Sequence, residues 1–118
     1  MAVEQCNVVV RAFSSLADRA HERAVDRGEE TAIYLEHDAD ISYGAIFTEA
    51  MALASGLSRL GLVKGDVLSF QLPNWRETVA IDIACCWLGL VLNPIVPIYR
   101  DNEVRHILAD CRAKAIFI

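Results

Sequence analysis

The sequence predicts an α/β fold, incomplete and built on a mainly parallel βαβ sheet, and three observations predict it. Short apolar, β-branched runs alternate along the chain with segments of helical periodicity. Gly61 to Pro97 reads as strand, helix, strand, with turn residues at each junction. Ala115 to Ile118 (AIFI) reads as one more strand after one more helix. Two apolar runs joined by a helix make a βαβ unit, which is right-handed in nearly all known cases. Alternation of this kind gives a sheet that is covered on both faces.

Taken in order, Phe13, Leu16, Ala17, Ala20 and Ala24 recur at helical spacing. They predict an amphipathic helix from about Phe13 to Asp26, capped by Ser14 or Ser15 and ended by Gly28. Thr31 to Glu36 (TAIYLE) reads as a strand, and Ile41 starts a short paired strand after a polar turn. Ser42 is the N-cap of the next helix, where Ile46, Ala50, Leu53, Leu57 and Leu60 form one stripe that runs to Gly61. Gly61 to Asp66 turns the chain into the run Val67 to Leu72. Asn74 is the expected cap of a helix from Trp75 to about Leu88, ended by Gly89. A second apolar run, Val91 to Val96, follows. Asp101 is the expected cap of a last helix carrying Val104, Ile107, Leu108 and Cys111.

The helix before Gly89 is apolar nearly all round, with Asp82 alone polar within its second half. Such a helix is buried on more than one side. It therefore needs a sheet on one face and more protein on the other, more than a chain this short easily supplies. The final strand has no crossover helix after it, so one of its coverings is also expected to be missing. With 118 residues the chain is at most one domain, residues 1–118, read as incomplete.

Composition narrows the function classes. A net charge of −5 suggests no nucleic-acid surface. The 54% hydrophobic content exceeds the usual share of about 45–50%, and the mean hydropathy is positive. The most apolar window, Val79 to Ile98, contains Asp82, Asn93, Pro94 and Pro97, whereas a spanning helix needs about 20 largely apolar residues. No membrane span and no secretory signal are expected, and the four cysteines, Cys6, Cys85, Cys86 and Cys111, read as reduced thiols of a cytoplasmic protein. No histidine stands at zinc-ligand spacing, so no metal site is expected.

The catalytic inventory is thin. There is no dinucleotide fingerprint, phosphate loop or nucleophile elbow. Gly61-Leu-Val-Lys-Gly65-Asp66 precedes a strand, whereas a phosphate loop follows one and opens a helix, so it reads as a structural turn. His21, His37 and His106 read as surface residues. Asp82, if buried, must be paired or hydrogen-bonded, and reads as structural. No catalytic residue is assigned.

The order of short motifs nevertheless resembles the N-terminal part of the adenylate-forming enzymes, the AMP-dependent synthetases and ligases that include acyl- and aryl-CoA synthetases. The matching residues begin with Ser42-Tyr43, Ala54, Leu57 and Leu60-Gly61, then Lys64-Gly65-Asp66-Val67, Leu72-Pro73-Asn74 and Glu77. Ala84, Leu88-Gly89, Asn93-Pro94, Pro97, Glu103, Ile107-Leu108, Asp110 and Ala113-Lys114 complete the series. Gly44-Ala45 departs from the family, where a glutamate often completes a capping box, and Leu90 replaces its usual alanine. The stretch from Asn93 to Arg100 looks most like medium-chain or aromatic acid:CoA ligases.

The resemblance implies a Rossmann-like N-terminal part of an adenylating domain, and an overall activity in which a carboxylic acid and ATP give an acyl-adenylate that is passed to coenzyme A. It also implies that the residues holding ATP, magnesium and ribose, and the lid with its lysine, lie beyond Ile118. This chain alone is then expected to bind no cofactor and to be inactive. Its partners would be the rest of its own domain or a covering subunit. In relatives the loop before the last helix lies near the coenzyme A access region. Arg100 there either meets a coenzyme A phosphate or is a solvated residue beside Asp101, the second reading being preferred. A stand-alone interaction module derived from the family is the alternative function.

Overall fold

The computed structural model describes residues 14–118. Among these, four helices and five strands alternate: α1 (Leu16–Asp26), β1 (Thr31–Ile33), β2 (Ile41–Ser42), α2 (Tyr43–Arg59), β3 (Val67–Phe70), α3 (Arg76–Leu88), β4 (Val91–Pro94), α4 (Asp101–Cys111) and β5 (Ala115–Phe117). The expected start at Phe13, and Cys6, lie outside the described residues.

Ser15 rather than Ser14 opens α1. Its hydroxyl accepts from the Asp18 N–H and the Asp18 carboxylate accepts from the Ser15 N–H, both at 3.0 Å, a reciprocal capping box. The strand expected over Thr31 to Glu36 stops at Ile33, because its antiparallel partner β2 is only two residues long. Tyr34 is 80% exposed. Ser42 caps α2 as expected, accepting from the Ala45 N–H at 3.1 Å. Gly44 leaves room for the Gly28 carbonyl, which its N–H meets at 2.9 Å; a Cβ on Gly44 would stand 3.1 Å from that oxygen. Leu60, placed on the core stripe by periodicity, is 77% exposed. The helix ends at Arg59, and the turn that follows sends Leu62 inward instead.

Asn74 does not cap α3. The N-cap is Trp75, without a side-chain hydrogen bond, and the Thr78 hydroxyl reaches back to the Pro73 carbonyl at 3.0 Å. Gly89 ends the helix in the left-handed region at φ 70°, which an L-residue adopts only at a cost. Asp101 is likewise the first helical residue of α4, not its cap. Arg100 is the N-cap, and its N–H donates to the Glu103 carboxylate at 3.1 Å.

β3 is the centre of a three-stranded parallel sheet in the order β4-β3-β5. Alternation along the strands sends Leu68, Phe70, Leu92, Ala115 and Phe117 to one face, where Ile81, Ala84 and Cys85 of α3 and Leu57 of α2 complete the main core. Ser69 and Asn93, paired in register, point to the other face. There the Asn93 amide donates to the buried Ser69 hydroxyl at 3.0 Å and lies 3.5 Å from the Cys111 sulfur of α4. The two crossover helices thus lie on opposite faces, as right-handed connections running in opposite directions across β3 require.

The far side of α3 is covered within this chain. Ala80 and Ile83 pack with Ile41, Ile46 and Ala50 in a second cluster, which Ala20, Ala32 and Phe47 flank. The expectation that α3 needs protein beyond this chain on its second face is therefore corrected: α1, α2 and the small hairpin supply it. What stays open is the other side of the sheet, since α4 has no fully buried residue and β5 is only half-buried. Ile118 is 86% exposed. Among the described residues no helix is long and apolar enough to cross a membrane.

Candidate functional site

In an open parallel sheet, ligands bind outside the carboxyl ends of the strands, where connections leave to opposite faces. Here that point lies between β3, which leads to α3 on one face, and β4, which leads to α4 on the other. Two connections wall it. The β3–α3 segment is Gln71-Leu72-Pro73-Asn74-Trp75, and the β4–α4 segment runs from Ile95 to Arg100.

Backbone bonds extend the sheet one residue into both segments. The Gln71 N–H donates to the Phe117 carbonyl and the Ile95 N–H to the Phe70 carbonyl, each at 2.8 Å. Val96 to Tyr99 then forms a turn closed by the Tyr99 N–H on the Val96 carbonyl at 3.1 Å. The Gln71 side chain reaches across to that turn. Its amide nitrogen faces the carbonyl oxygens of Val96 at 3.2 Å, Pro97 at 3.4 Å and Tyr99 at 2.9 Å. Only the nitrogen end suits this position, since an amide oxygen would meet three acceptors.

Beyond the turn, Arg100 is exposed and stands at the N-terminus of α4, the positive end of its dipole. It lines an open cleft of about 380 Å³ together with Gln71, Tyr99, Asp101, Arg105 and Ile116. Neither Arg100 nor Arg105 forms an ion pair among the described residues. A second cleft of about 340 Å³ at the same end is mainly apolar, with Leu53, Leu72, Trp75, Ile81 and Phe117 in its walls.

The described residues do not fit ATP or magnesium. The β3–α3 connection holds a proline and no glycine, so it offers no cradle of consecutive N–H groups to a phosphate chain. No group of three potential metal ligands occurs among the described residues. One anionic group beside Arg100 does fit, because an exposed guanidinium can pair with a phosphate.

The remaining candidate side chains divide. His37 and His106 are exposed as expected. His21 is exposed too, but its ring packs 5.3 Å from Phe47 and 6.2 Å from Trp87, centroid to centroid, tying α1 to α2 and α3. Asp82 is half-buried, and its Oδ1, buried itself, has no hydrogen-bond partner among the described residues. The partner expected for it is therefore absent there, and burial raises its carboxyl above the ordinary aspartate value. Burial also pushes the Cys85 thiol up to about 11, helped by the Asp82 carboxylate and Cys86. Gln71 is the residue that sequence reasoning missed. Its only local signal was a polar side chain ending an apolar strand.

Residues 20–118 match the family model described as AMP-binding enzyme. A medium-chain fatty-acid–CoA ligase of Escherichia coli strain K12 is 35% identical over 104 residues, covering 88% of this chain and 18% of that protein. A salicylyl-CoA synthase/salicylate adenylyltransferase of Streptomyces is 30% identical over 103 residues, with coverage of 87% and 18%. The N-terminal subdomain of NpsA from Klebsiella oxytoca superposes with a TM-score of 0.79 at 19% identity, over 88% of this chain and 27% of that one. The fold is thus that of the N-terminal subdomain of adenylate-forming enzymes, and the chain spans about a fifth of the length of these two curated relatives.

Proposed function

This chain belongs to the AMP-binding enzyme family, and from that premise we propose that it is the N-terminal portion of an ATP-dependent carboxylic acid:coenzyme A ligase. Residues 1–118 are one incomplete domain, the first part of the adenylating domain. In the whole enzyme an acid and ATP give an acyl-adenylate and pyrophosphate, and coenzyme A then takes the acyl group with release of AMP. The observation that carries this reading is the family match over residues 20–118 combined with relatives named as acyl-CoA ligases. A medium-chain fatty or aromatic acid is the substrate class that fits the names of the relatives, and the enzyme works in the cytoplasm.

The described residues hold no metal cluster and no glycine-bearing phosphate cradle between β3 and α3, and in this reading the chain is inactive alone. Pyrophosphate release from ATP is measured with octanoate and with salicylate. The 118-residue chain gives none, while the native gene product, sequenced past Ile118 and checked by intact mass, gives acid-dependent release. Turnover by the 118-residue chain overturns the inactive reading, and a native product that ends at Ile118 overturns the ligase reading. Arg100 contacts a coenzyme A phosphate in this scheme; an unchanged KM for coenzyme A in Arg100→Ala of the active enzyme removes that role.

A second reading rests on the exposed apolar surface. Trp75 is 55% and Ile118 86% exposed, at the cleft walled by Leu72 and Phe117. A non-catalytic module derived from this family, covered there by a subunit rather than by its own continuation, would expose the same face. A partner that copurifies with a native product of 118 residues favours it.

A further inference from the structure

Gln71 stands apart from the other polar side chains at the carboxyl end of the sheet, because it spans two connections. Thr78 bonds a carbonyl five residues away and Glu103 an N–H three residues away. The Gln71 amide instead meets carbonyls 25, 26 and 28 residues away. Its own N–H is meanwhile committed to β5. One residue therefore ties β5, β3 and the β4–α4 turn together.

The turn itself has little else to hold it. Val96, Pro97, Ile98 and Tyr99 are exposed, so burial contributes little there, and one internal bond closes it. We propose that Gln71 is the positioning residue of this site: its amide fixes the Val96–Tyr99 turn as a preformed wall, and thereby sets where Arg100 and the first turn of α4 stand. Three carbonyls converging on one group call for a donor with no acceptor character. An amide nitrogen supplies two hydrogens and a lysine ammonium would supply three. The identity of the acid does not matter to this role. Only its kinetic consequence rests on the ligase reading and on the contact of Arg100 with coenzyme A.

Amide hydrogen exchange of the whole chain tests it. Gln71→Met keeps the length and loses both side-chain donor hydrogens; exchange at Tyr99 and Arg100, whose N–H groups are hydrogen-bonded, is expected to quicken about tenfold or more, the scale of losing one or two neutral hydrogen bonds, with the protection of α2 unchanged. Gln71→Lys keeps donors at similar reach and is expected within about twofold of the wild type. Wild-type protection in Gln71→Met overturns the proposal, and so does a Gln71→Lys chain as loose as Gln71→Met. Should Gln71→Met fail to fold, Gln71→Lys against Gln71→Glu, which brings a carboxylate to the three carbonyls, decides the same point. In the active ligase, Gln71→Met is expected to raise the KM for coenzyme A at unchanged kcat. A loosened turn with an unchanged KM leaves Gln71 fixing the turn and removes the coenzyme A reading of Arg100, so the two failures are distinguishable.

Discussion

Replacing Asp82 by leucine should make the fold more stable at neutral pH. The Asp82 Oδ1 is shielded from solvent without a hydrogen-bond partner among the described residues. It lies beside a cleft that Phe70, Cys85, Leu90 and Leu92 line. Burying a polar group without a partner costs about 1–3 kcal/mol by mutational data. The side chain as a whole is only half-buried, so the lower end applies and a gain of about 1 kcal/mol is expected. For a chain of 118 residues that is about 4 °C in Tm.

The pH dependence has a definite sign. The folded carboxyl titrates above its unfolded value because burial disfavours the anion. Between those two values the unfolded state is ionised while the folded state holds the proton. Stability therefore falls as pH rises from the unfolded value through the folded one, and the penalty is complete above it. Urea unfolding of wild type, Asp82→Asn and Asp82→Leu at pH 4.5 and 7.5 measures this. The advantage of Asp82→Leu should be largest at pH 7.5 and shrink at pH 4.5. Asp82→Asn, which removes charge but leaves an unpartnered amide, should fall between. An Asp82→Leu chain less stable than wild type at pH 7.5 would refute the reasoning, since it would mean that the carboxylate has a partner.

Three further outcomes are expected. Ser42→Ala removes the cap of α2 and should cost about 1 kcal/mol in urea unfolding. Gly89→Ala forces an L-residue to φ 70° and sets a Cβ 3.0 Å from the Lys64 side chain; thermal unfolding should show a loss of about 1–2 kcal/mol. Cys85, buried and with its thiol pushed up to about 11, should resist alkylation at pH 7.5 in the folded chain and react once urea unfolds it, whereas half-buried Cys86 reacts before Cys85, as mass mapping of the labelled sites would show.

Much of the fold was legible because its signals are local. Ser42 announces α2 and Gly89 closes α3, and each needs only its neighbours to do so. The parallel sheet followed from the alternation of runs and helices, and β3 at its centre carries the fully buried Leu68 and Ser69. The differences at Asn74, Asp101 and Leu60 all fall at helix ends. Asn74 and Asp101 are of capping type, whereas the backbone starts α3 after Trp75 and α4 after Arg100, and the apolar stripe of α2 runs on to Leu60, one residue past the helix end. The covering of α3 by its own chain has no local signal. Whether Ile46 and Ala50 reach Ala80 and Ile83 depends on how two helices cross, which no single segment encodes. The proposed function rests on the order of many weak motifs and on the family match, because no cluster of potential metal ligands occurs among the described residues.

The carboxyl end of the sheet explains that silence. Gln71 is committed to three carbonyls, Thr78 to Pro73 and Glu103 to the Arg100 N–H. Polar groups bonded to backbone in this way are held in place, and here they fix the two connections to one another and to the helix starts. Among the described residues, the cationic side chains left uncommitted on the cleft are Arg100 and Arg105. A surface with two unpaired guanidinium groups, Arg100 and Arg105, beside a single carboxylate, Asp101, suits the holding of an anion. Under the ligase proposal, this part of the fold would place a charged substrate, and the groups that activate the acid would belong to sequence that the relatives carry beyond the matched portion.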